Sequence, residues 1–409
     1  MNIAFIVNEF PAISETFILN QVTGLLDAGH NVRIFALDGK QRCGIMHPEI
    51  ERYRLLERTH YFVPLPRFRL MRIMKALGFA LRYGYRYPRM VAAALNVVRR
   101  GNIGMIYKLV PFLGKRFDII HCHFGPNGVL GVALRELGVS GKIITSFHGY
   151  DANNYPLTAG RDVYDRLFAG GDYFTANTQF TKRQMEQLGC PADKIGILHE
   201  GLDVKKFVFS EKEAEAGEPV RLLTIGRLVE KKGHVFALRA VAALLKRHSN
   251  IKYIIAGEGP LRAELEQEID MLKIRPFVVL CGSINAERAR QLYAESHIFV
   301  LPSITTAQQD REGQALVLQE AQACGLPVVS TLHNGIPEGV LDGRSGFLVP
   351  EKDSSALAER LEYLIGHPEV WKSMGREGRC FVEKTFDSAL LNKKLLAAYE
   401  MFVSKGRPI

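Results

Sequence analysis

Several features that would mark a secreted, disulfide-bonded or membrane-spanning protein are absent from this sequence. Its 409 residues contain one tryptophan and six scattered cysteines, with no C-x-x-C pair. We therefore expect free thiols in a reducing compartment, and neither a disulfide framework nor a zinc ribbon. No run of 18 apolar residues occurs, so no segment is expected to span a bilayer. The start, MNIAFIVNEF, has no basic region and is interrupted by Asn8 and Glu9, which predicts a first β-strand rather than a signal peptide.

Motifs of two other classes of protein are missing as well. The loop after the first predicted strand lacks G-x-G-x-x-G, which counts against a nicotinamide-dependent oxidoreductase built from the same βα units. No zinc finger, RRM-like aromatic motif or helix-turn-helix accompanies the basic residues. Electrostatics alone would allow nucleic-acid binding, but without such a motif we expect no nucleic-acid partner.

The positive charge of the chain is concentrated in one segment. The formal net charge is +10, yet residues 52–116 alone hold 15 Lys and Arg against one acid, Glu57. The rest of the chain is therefore slightly acidic. This contrast predicts a basic insertion within an otherwise ordinary globular protein.

Strand and helix patterns alternate along the chain, as in proteins with parallel sheets. NIAFIVN, an amphipathic helix at residues 16–28 and VRIFAL form a first βαβ unit, and FDIIHCHFG and KIITSFHGYD add further buried strands. The pattern restarts with VRLLTIGRLVEKKG at residue 220. We predict an α/β fold with a first Rossmann-like domain at residues 1–204, a linker at 205–219, a second domain at 220–385 and a terminal helix at 386–409.

The restart of the pattern also carries a cluster of cations. Arg227, Lys231 and Lys232 follow the strand LLTIG, and Gly233 precedes a helix predicted at residues 234–247. Cations at the carboxyl end of a first strand, opposite a helix N-terminus, favour a site for a diphosphate. A solvated basic turn is the alternative.

Two carboxylates lie in the segment DREGQALVLQEAQACGLPVVST, residues 310–331. Helix formers from Gln314 onward predict a helix at 314–323, with Glu312 at its mouth and Glu320 about two turns along. The N–H groups of Gly313, Gln314 and Ala315 would then be free to bind an anion. An anion site between two acceptors suits a nucleotide sugar, whereas the alternative is a surface helix with solvated glutamates.

Three features resemble the retaining GT-B glycosyltransferases of family four: the spacing of these glutamates, the preceding HIFVLPS and the following NGIPEGVLDGRSGFLV. The bacterial exopolysaccharide branch, of colanic acid and amylovoran type, is most similar, and the resemblance extends from Met1 to about Phe386. It implies two facing Rossmann-like domains, with the last helix crossing back onto the first domain. It also implies hexose transfer from a nucleotide-diphosphate sugar with retention of configuration and no enzyme nucleophile.

The resemblance further implies roles for individual residues. Arg227 and Lys232 would neutralise the leaving diphosphate, so that no metal or other cofactor is required, and no D-x-D motif is present. Glu312 would bind sugar hydroxyls and Glu320 the ribose. Backbone at Gly282 and Ser283 would hold the base. His148, in an H-G-x-D pattern ending at Asp151, would contact the sugar near its anomeric carbon.

Residues on the acceptor side are less specific. Ser14, Glu15 and Thr16 stand where relatives often have a glycine pair, and Ser14 is equally suited to be a helix N-cap. His121 and His123 are predicted to share one side of a strand, where a structural or acceptor-side role is favoured because no third metal ligand has a suitable spacing.

The basic insertion favours a membrane surface. Leu70, Ile73, Met74, Leu77 and Leu81 follow helical spacing, and Arg69, Arg72, Lys75 and Arg82 are predicted on the opposite side. We expect binding to an anionic membrane on the cytoplasmic side and a lipid-linked saccharide acceptor. Packing of the apolar face on the first domain is the alternative.

The exopolysaccharide relatives favour a UDP-hexose donor, and GDP-mannose remains open. A non-hydrolysing sugar-nucleotide epimerase is the alternative enzyme of the same fold.

Overall fold

A computed structural model describes residues 1–12, 15–39, 47–99 and 101–404 of the chain. The strands of these residues form a seven-stranded and a six-stranded sheet in which all neighbouring strands are parallel. The first sheet contains β1 (Asn2–Glu9), β2 (Asn31–Asp38), β3 (Thr59–Tyr61), β4 (Ile119–His123), β5 (Lys142–Phe147), β6 (Tyr173–Ala176) and β7 (Ile195–Ile197). The second contains β8 (Val220–Ile225), β9 (Ile251–Ala256), β10 (Val278–Gly282), β11 (Ile298–Leu301), β12 (Val328–Thr331) and β13 (Gly346–Val349).

Helices connect the strands and cover both faces of each sheet. They are α1 (Thr16–Asp27), α2 (Pro48–Arg52), α3 (Arg69–Gly84), α4 (Pro88–Arg99), α5 (Gly104–Leu109), α6 (Gly125–Glu136), α7 (Tyr150–Asn153), α8 (Tyr155–Ala159), α9 (Asp165–Gly170), α10 (Gln179–Gln187), α11 (His234–Leu244), α12 (Arg262–Met271), α13 (Ala286–Glu295), α14 (Val317–Ala323), α15 (Ser354–Gly366), α16 (Glu369–Thr385) and α17 (Ser388–Ser404). Because helices lie on both faces, the central strands are apolar along most of their length, as β11 with its four buried residues illustrates.

The strand order places the site. The first sheet runs β3-β2-β1-β4-β5-β6-β7, and the second runs β10-β9-β8-β11-β12-β13. In each sheet the order therefore reverses beside the first strand, and ligands of open parallel sheets bind outside the carboxyl ends of the strands at such a point. The prediction of two Rossmann-like domains is confirmed.

The last helix returns to the first sheet, as predicted. The side-chain amide of Asn392 on α17 donates to the carbonyl of Asn20 on α1 at 2.9 Å. Further along the same helix, the Tyr399 hydroxyl lies 2.5 Å from Nδ1 of His121 on β4. The end of the chain thus stabilises the domain in which it began.

The predicted basic insertion, residues 52–116, is only partly an insertion, because residues 59–61 form the edge strand β3 of the first sheet, and helices α3, α4 and α5 follow it. The five predicted apolar residues share one face of α3, and that face is exposed rather than packed on the domain. Arg72 differs from the prediction, because it lies on the inner face with Ala76 and Phe79 and its Nε donates to the Pro66 carbonyl at 2.6 Å. Positions 72, 76 and 79 recur at helical spacing, so they share a face. A second helix of the same segment, α4, begins at Pro88.

Two observations concern the described part of the chain as a whole. None of its helices combines the length and the apolar character needed to cross a bilayer. Its five cysteines are all unpaired, as expected, with Cys43 outside the described residues.

Candidate active site

The loop before α14 holds a buried ion pair. Lys232, in the turn after β8, places its Nζ 2.5 Å from Oε2 of Glu312, and both side chains are nearly buried. Burial alone would raise the pKa of the Glu312 carboxyl, but the charges of Lys232 and Lys231 outweigh it and lower that pKa to about 2. Glu312 is therefore ionised across the physiological range. The pair joins the two segments that the sequence singled out as a diphosphate site and a sugar site.

Helix α14 begins later than predicted. It starts at Val317 instead of residue 314, because Ala315 adopts a left-handed conformation (φ +58°) that interrupts the helix. Glu312 accordingly lies in an extended loop, and Glu320 lies in the first turn of the helix rather than two turns along. The predicted helix mouth is thus a loop that turns once before the helix begins.

Three backbone N–H groups of this loop are free in the described part of the chain, as the sequence predicted. The N–H groups of Gly313, Gln314 and Ala315 donate to no other group in residues 1–12, 15–39, 47–99 and 101–404. The side chain of Gln314 points away from them, because it exchanges two hydrogen bonds with the backbone of Glu200 in the first domain, at 2.7 and 2.8 Å. These three amides are available to an anion, although they do not form a helix N-terminus.

The other two cations flank the ion pair differently. Lys231 contacts Asp310 at 3.1 Å, which connects the turn after β8 to the start of the loop before α14. Arg227 is exposed, and its guanidinium pairs with no carboxylate in the described ranges. Arg227 is therefore the cation of this cluster that is free for a ligand.

Glu320 is held by a tyrosine. The buried hydroxyl of Tyr293 on α13 donates to Oε2 of Glu320 at 2.8 Å. Burial raises the pKa of Glu320 to about 7, although this hydrogen bond opposes the rise. One carboxylate oxygen is thus fixed, and the second remains for another donor.

Sequence reasoning missed His333 and Glu351. The buried ring of His333 accepts the backbone N–H of Glu312 on Nε2 at 3.0 Å, while its Nδ1 lies 2.6 Å from Glu351. Glu351 also accepts the backbone N–H of Thr305 at 2.7 Å. His333 directly precedes the NGIPE segment that the sequence analysis used, but only the fold brings it to Glu312.

The first domain contributes His148 at the carboxyl end of β5. Its Nδ1 lies 3.0 Å from Glu200 Oε1, and its Nε2 lies 3.1 Å from Nδ1 of His123. Burial would lower the pKa of His148, but the hydrogen bond and charge of Glu200 raise it above its ordinary value. His123 itself is fully buried, and burial holds its pKa well below the usual range. The predicted His148 is thus oriented by Glu200.

His121 and Asp151 are part of the supporting structure. His121 bonds Tyr399 and Ser146, and its ring stacks on His123 with centroids 4.4 Å apart. The buried Asp151 carboxylate accepts the backbone N–H groups of His148, Gly149 and Gly125. Asp151 therefore fixes the loop that carries His148, and its oxygens are occupied by backbone donors.

The loop after β1 brings Glu15 towards His148. Glu15 precedes α1, which begins at Thr16, and burial raises the pKa of Glu15 to about 7 while His148 opposes the rise. Ser14 lies outside the described residues. Of the predicted loop residues, Glu15 lies close enough to His148 for their charges to interact.

Gly282 and Ser283 lie at the carboxyl end of β10. Gly282 has φ +71°, and its carbonyl accepts the N–H of Gly257 at 2.9 Å. Ser283 is exposed. The side chains of Glu258 and Arg262 lie beside Gly282, because a Cβ added there would stand 3.5 and 3.7 Å from them.

The two domains meet where these residues converge. A Cβ added to Gly149 would stand 3.1 Å from Cα of Gly313, and one added to Gly313 would stand 2.6 Å from the His148 carbonyl oxygen. Glu338 of the second domain accepts the N–H groups of Gln179 and Phe180 at the start of α10 in the first. The loop that carries His148 and the loop before α14 are therefore in backbone contact.

Metal ligands do not converge anywhere in the described ranges. No group of three or more His, Cys, Asp or Glu side chains there is arranged to hold a metal ion.

Two family profiles together match most of the chain. The profile described as "Glycosyltransferase Family 4" matches residues 82–206, and the one described as "Glycosyl transferases group 1" matches residues 205–380. The border between them falls between the two sheets.

Full-length relatives and solved structures agree with this match. The chain is 33% identical to a Salmonella typhimurium protein described as the colanic acid biosynthesis glycosyltransferase WcaL, over 97% of this chain and 98% of the relative. It is 34% identical to the amylovoran biosynthesis glycosyltransferase AmsK of Erwinia amylovora, over 88% and 89%. The Anabaena protein HepE, solved with UDP and glucose, superposes with a TM-score of 0.72 at 17% identity, over 98% of this chain and all of that one.

Proposed function

Because this chain belongs to the GT-B glycosyltransferases of exopolysaccharide biosynthesis, the family of WcaL and AmsK, we propose that it moves a hexose from a nucleotide-diphosphate sugar to a saccharide acceptor with retention of configuration. The observation that carries the proposal is the Lys232–Glu312 ion pair beside three free backbone amides, in contact with the His148 loop. This arrangement offers cations and amides to a diphosphate and a carboxylate to a sugar, within one cleft.

The diphosphate leaves between Arg227, Lys232 and the amides of residues 313–315. Negative charge develops on the diphosphate as the glycosidic bond breaks, and preorganised donors in a water-poor site stabilise it. Lys232 and Arg227 supply this charge compensation from the protein, so we propose that no metal is required.

The sugar lies between Glu312 and His148. The ionised Glu312 accepts hydrogen bonds from sugar hydroxyls while Lys232 turns to the phosphate. Glu200 raises the pKa of His148, which supplies positive charge on the opposite side while its two ring nitrogens stay bonded to Glu200 and His123. Glu320, with one oxygen held by Tyr293, accepts from the ribose hydroxyls with the other, and the backbone at Gly282 and Ser283 contacts the base.

Retention follows from attack on the face that the diphosphate leaves, through an oxocarbenium-like state without an enzyme nucleophile. The acceptor is proposed to enter from the side of Glu15 and Thr16, whereas the fully buried His123 supports His148 from behind. The anomeric proton of the product, read by NMR, tests this step directly. A product of inverted configuration would contradict it.

The donor test uses a panel of nucleotide sugars. A UDP-hexose is favoured, in keeping with the UDP bound in HepE, and GDP-mannose is the main competitor. A true donor at a hundredfold excess over its Kd stabilises the protein by about 2.7 kcal/mol, which a thermal-shift assay detects.

Transfer itself is tested with variants. Arg227→Ala, Lys232→Ala and Glu312→Ala are each expected to lower transfer about 10²–10³-fold, because each removes one preorganised contact. Near-normal turnover of both cation variants would place the diphosphate elsewhere. Release of nucleotide diphosphate that needs no acceptor would favour the epimerase alternative instead.

The acceptor is proposed to be a lipid-linked saccharide on the cytoplasmic face of the membrane, where the basic insertion holds the protein near anionic lipid. Each basic residue close to such a surface contributes about 1 kcal/mol of attraction.

A further inference from the structure

The outer face of α3 consists of large apolar side chains in contact with solvent. Leu70, Met74, Leu77 and Leu81 are 70%, 63%, 53% and 84% exposed, and they recur at helical spacing. Phe68, just before the helix, is 68% exposed as well. Scattered exposed leucines need no explanation, but a contiguous apolar stripe along a helix marks an interaction surface.

The helix is attached to the domain through its opposite face. Ala76 is buried, Phe79 packs edge-on against Tyr107 of α5, and the Tyr107 hydroxyl donates to the Arg72 carbonyl at 2.6 Å. Small and aromatic residues thus face the core while the aliphatic residues face outward. This is the reverse of the usual amphipathic helix on a globular domain, whose apolar stripe faces the core.

Unpaired cations border the apolar stripe. Arg69, Lys75, Arg82 and Arg86 are exposed, and none forms an ion pair with a residue in the described ranges. They belong to the excess of 14 positive charges in residues 52–116, which repels a second copy of the same surface and attracts an anionic one.

We propose that α3 lies in the interfacial region of an anionic lipid bilayer, with its apolar stripe buried among the acyl chains and its cations at the headgroups. The proposal deepens the proposed function, on which it rests for a membrane-bound acceptor. A 16-residue helix is about 24 Å long, which suits a helix lying in the plane of the surface rather than across it. Insertion of the stripe adds a component of binding that salt does not screen.

Vesicle co-sedimentation of the full-length protein tests this component. The vesicles contain phosphatidylcholine with one third phosphatidylglycerol, or phosphatidylcholine alone. The double variant Leu77→Asn with Leu81→Asn is expected to reduce partition into anionic vesicles at least about tenfold, because burying each leucine contributes strongly to transfer from water. The reduction should persist at high salt. Met271→Asn, an equally exposed apolar residue on α12 of the second domain, is the matched control and should bind like wild type.

The charges are tested separately. Lys75→Gln with Arg82→Gln is expected to weaken binding at low salt, and the difference from wild type should shrink as salt rises. Lys246→Gln with Lys252→Gln in the second domain changes net charge equally and should have little effect.

Fluorescence reports insertion directly, because the single tryptophan, Trp371, is fully buried in the second domain. Leu77→Trp should shift its emission to the blue and be quenched by brominated lipid on addition of anionic vesicles, whereas Met271→Trp should not. If the emission of the Leu77→Trp variant stayed unchanged and water-like while the protein sedimented with the vesicles, the proposed insertion would be overturned.

Two further outcomes would also overturn it: equal vesicle binding by the Leu77/Leu81 variant, or a lipid-free dimer in sedimentation equilibrium that this variant abolishes, which would make a second copy the partner. Both are distinct from failure of the proposed function. That failure would appear as a wild-type protein that is stabilised by no donor and releases no nucleotide diphosphate, whatever its vesicle binding.

Discussion

The ion pair of Lys232 and Glu312 places two opposite charges in a nearly buried part of the cleft. Two nearly buried charges are stable together only because each compensates the other, and removing one leaves the second desolvated without a partner. Both are also the groups that a sugar diphosphate would engage. The pair therefore links the stability of the second domain to its proposed binding chemistry.

Lys232→Ala is expected to destabilise the protein by roughly 3 kcal/mol at neutral pH, with Lys231 limiting the loss. Because the pKa of Glu312 in the folded wild type is about 2, its stabilisation is present above pH 4.5 and is lost as pH falls through 2. Without Lys232 the carboxyl titrates at higher pH, so the gap between variant and wild type should narrow from pH 7 to pH 4 in urea unfolding. Adding Glu312→Gln should recover part of the loss. A gap that is independent of pH would contradict the ion pair.

Glu320 predicts the opposite dependence on pH. Burial raises its pKa in the folded protein to about 7, so the folded state binds this proton more tightly than the unfolded state between pH 4.5 and 7. Wild-type stability should fall with rising pH in that window. Glu320→Gln removes this dependence, and should gain about 2–3 kcal/mol relative to wild type between pH 5 and 8. Parallel unfolding profiles of the two proteins would show that Glu320 titrates normally.

Donor affinity separates the role of Glu320 from its stability effect. If Glu320 binds the ribose, Glu320→Gln should raise KM for the donor with little change in kcat. An unchanged KM would remove that role.

Individual residues could be predicted from the sequence where chemistry and chain order coincide. Lys232 follows a strand and precedes a helix, which by itself indicates an anion site. His333 and Glu351 have no such local context, because they reach Glu312 only through the packing of β12 and β13. The pairing of Glu200 with His148 could not be predicted either, since 52 positions separate the two residues.

At the scale of elements, the loop before α14 is held in position by contacts with neighbouring segments. Glu312 is presented by a loop that α14 does not include, so its position is set by Lys232 on one side and His333 on the other. The helix propensity of residues 314–323 predicted otherwise. Propensity is a weak guide where one residue, here Ala315, is forced into a left-handed conformation.

His333→Ala is expected to lower kcat/KM for the donor by about tenfold to a hundredfold, because a small displacement of a binding group is costly. Glu351→Gln should retain most activity, since an amide oxygen still accepts from Nδ1 of His333 and keeps Nε2 as the acceptor for Glu312. Steady-state kinetics with the favoured donor measure both.

The matched control is His297→Ala. This buried histidine also accepts a backbone N–H, that of Arg221, but at the amino end of β11, away from the cleft. It should lower the melting temperature without changing kinetics. Equal kinetic losses in the His333 and His297 variants would mean that His333 acts only through general stability.

Helix α3 shows the other limit of sequence reasoning. Its apolar periodicity was readable, but periodicity does not reveal which face packs on the domain. Tyr107 and Phe79 decide this, because an aromatic contact and a backbone hydrogen bond attach the face that carries Arg72.

At the scale of the whole molecule, the domains are held together at the site itself. The Gln314–Glu200 hydrogen bonds, the cap that Glu338 provides to α10, and the contact of Gly149 with Gly313 all cross between domains. The parallel sheets and their order followed from the alternation of strands and helices. The contacts between domains did not, because each of them involves a backbone group, which the pattern of side chains does not reveal.

Gly313→Ala tests whether this contact sets the closed arrangement. The added methyl would meet the His148 carbonyl oxygen at 2.6 Å and the Asn177 amide at 2.9 Å, so the domains must separate to accommodate it. The loop that carries His148 would then be displaced from the loop that carries Glu312. We expect kcat to fall about a hundredfold, as for a displacement of about 1 Å between catalytic groups.

Small-angle scattering and kinetics together measure this effect, with Gly366→Ala as the matched control because a methyl there meets no atom within 4 Å. The Gly313 variant should show a larger radius of gyration in the presence of donor, while the melting temperature of each domain changes little, since the clash lies between domains and not within one. If Gly313→Ala retained both the compact scattering profile and normal kcat, the backbone contact between the two loops would not belong to the active arrangement, and His148 would have to act from a more open cleft.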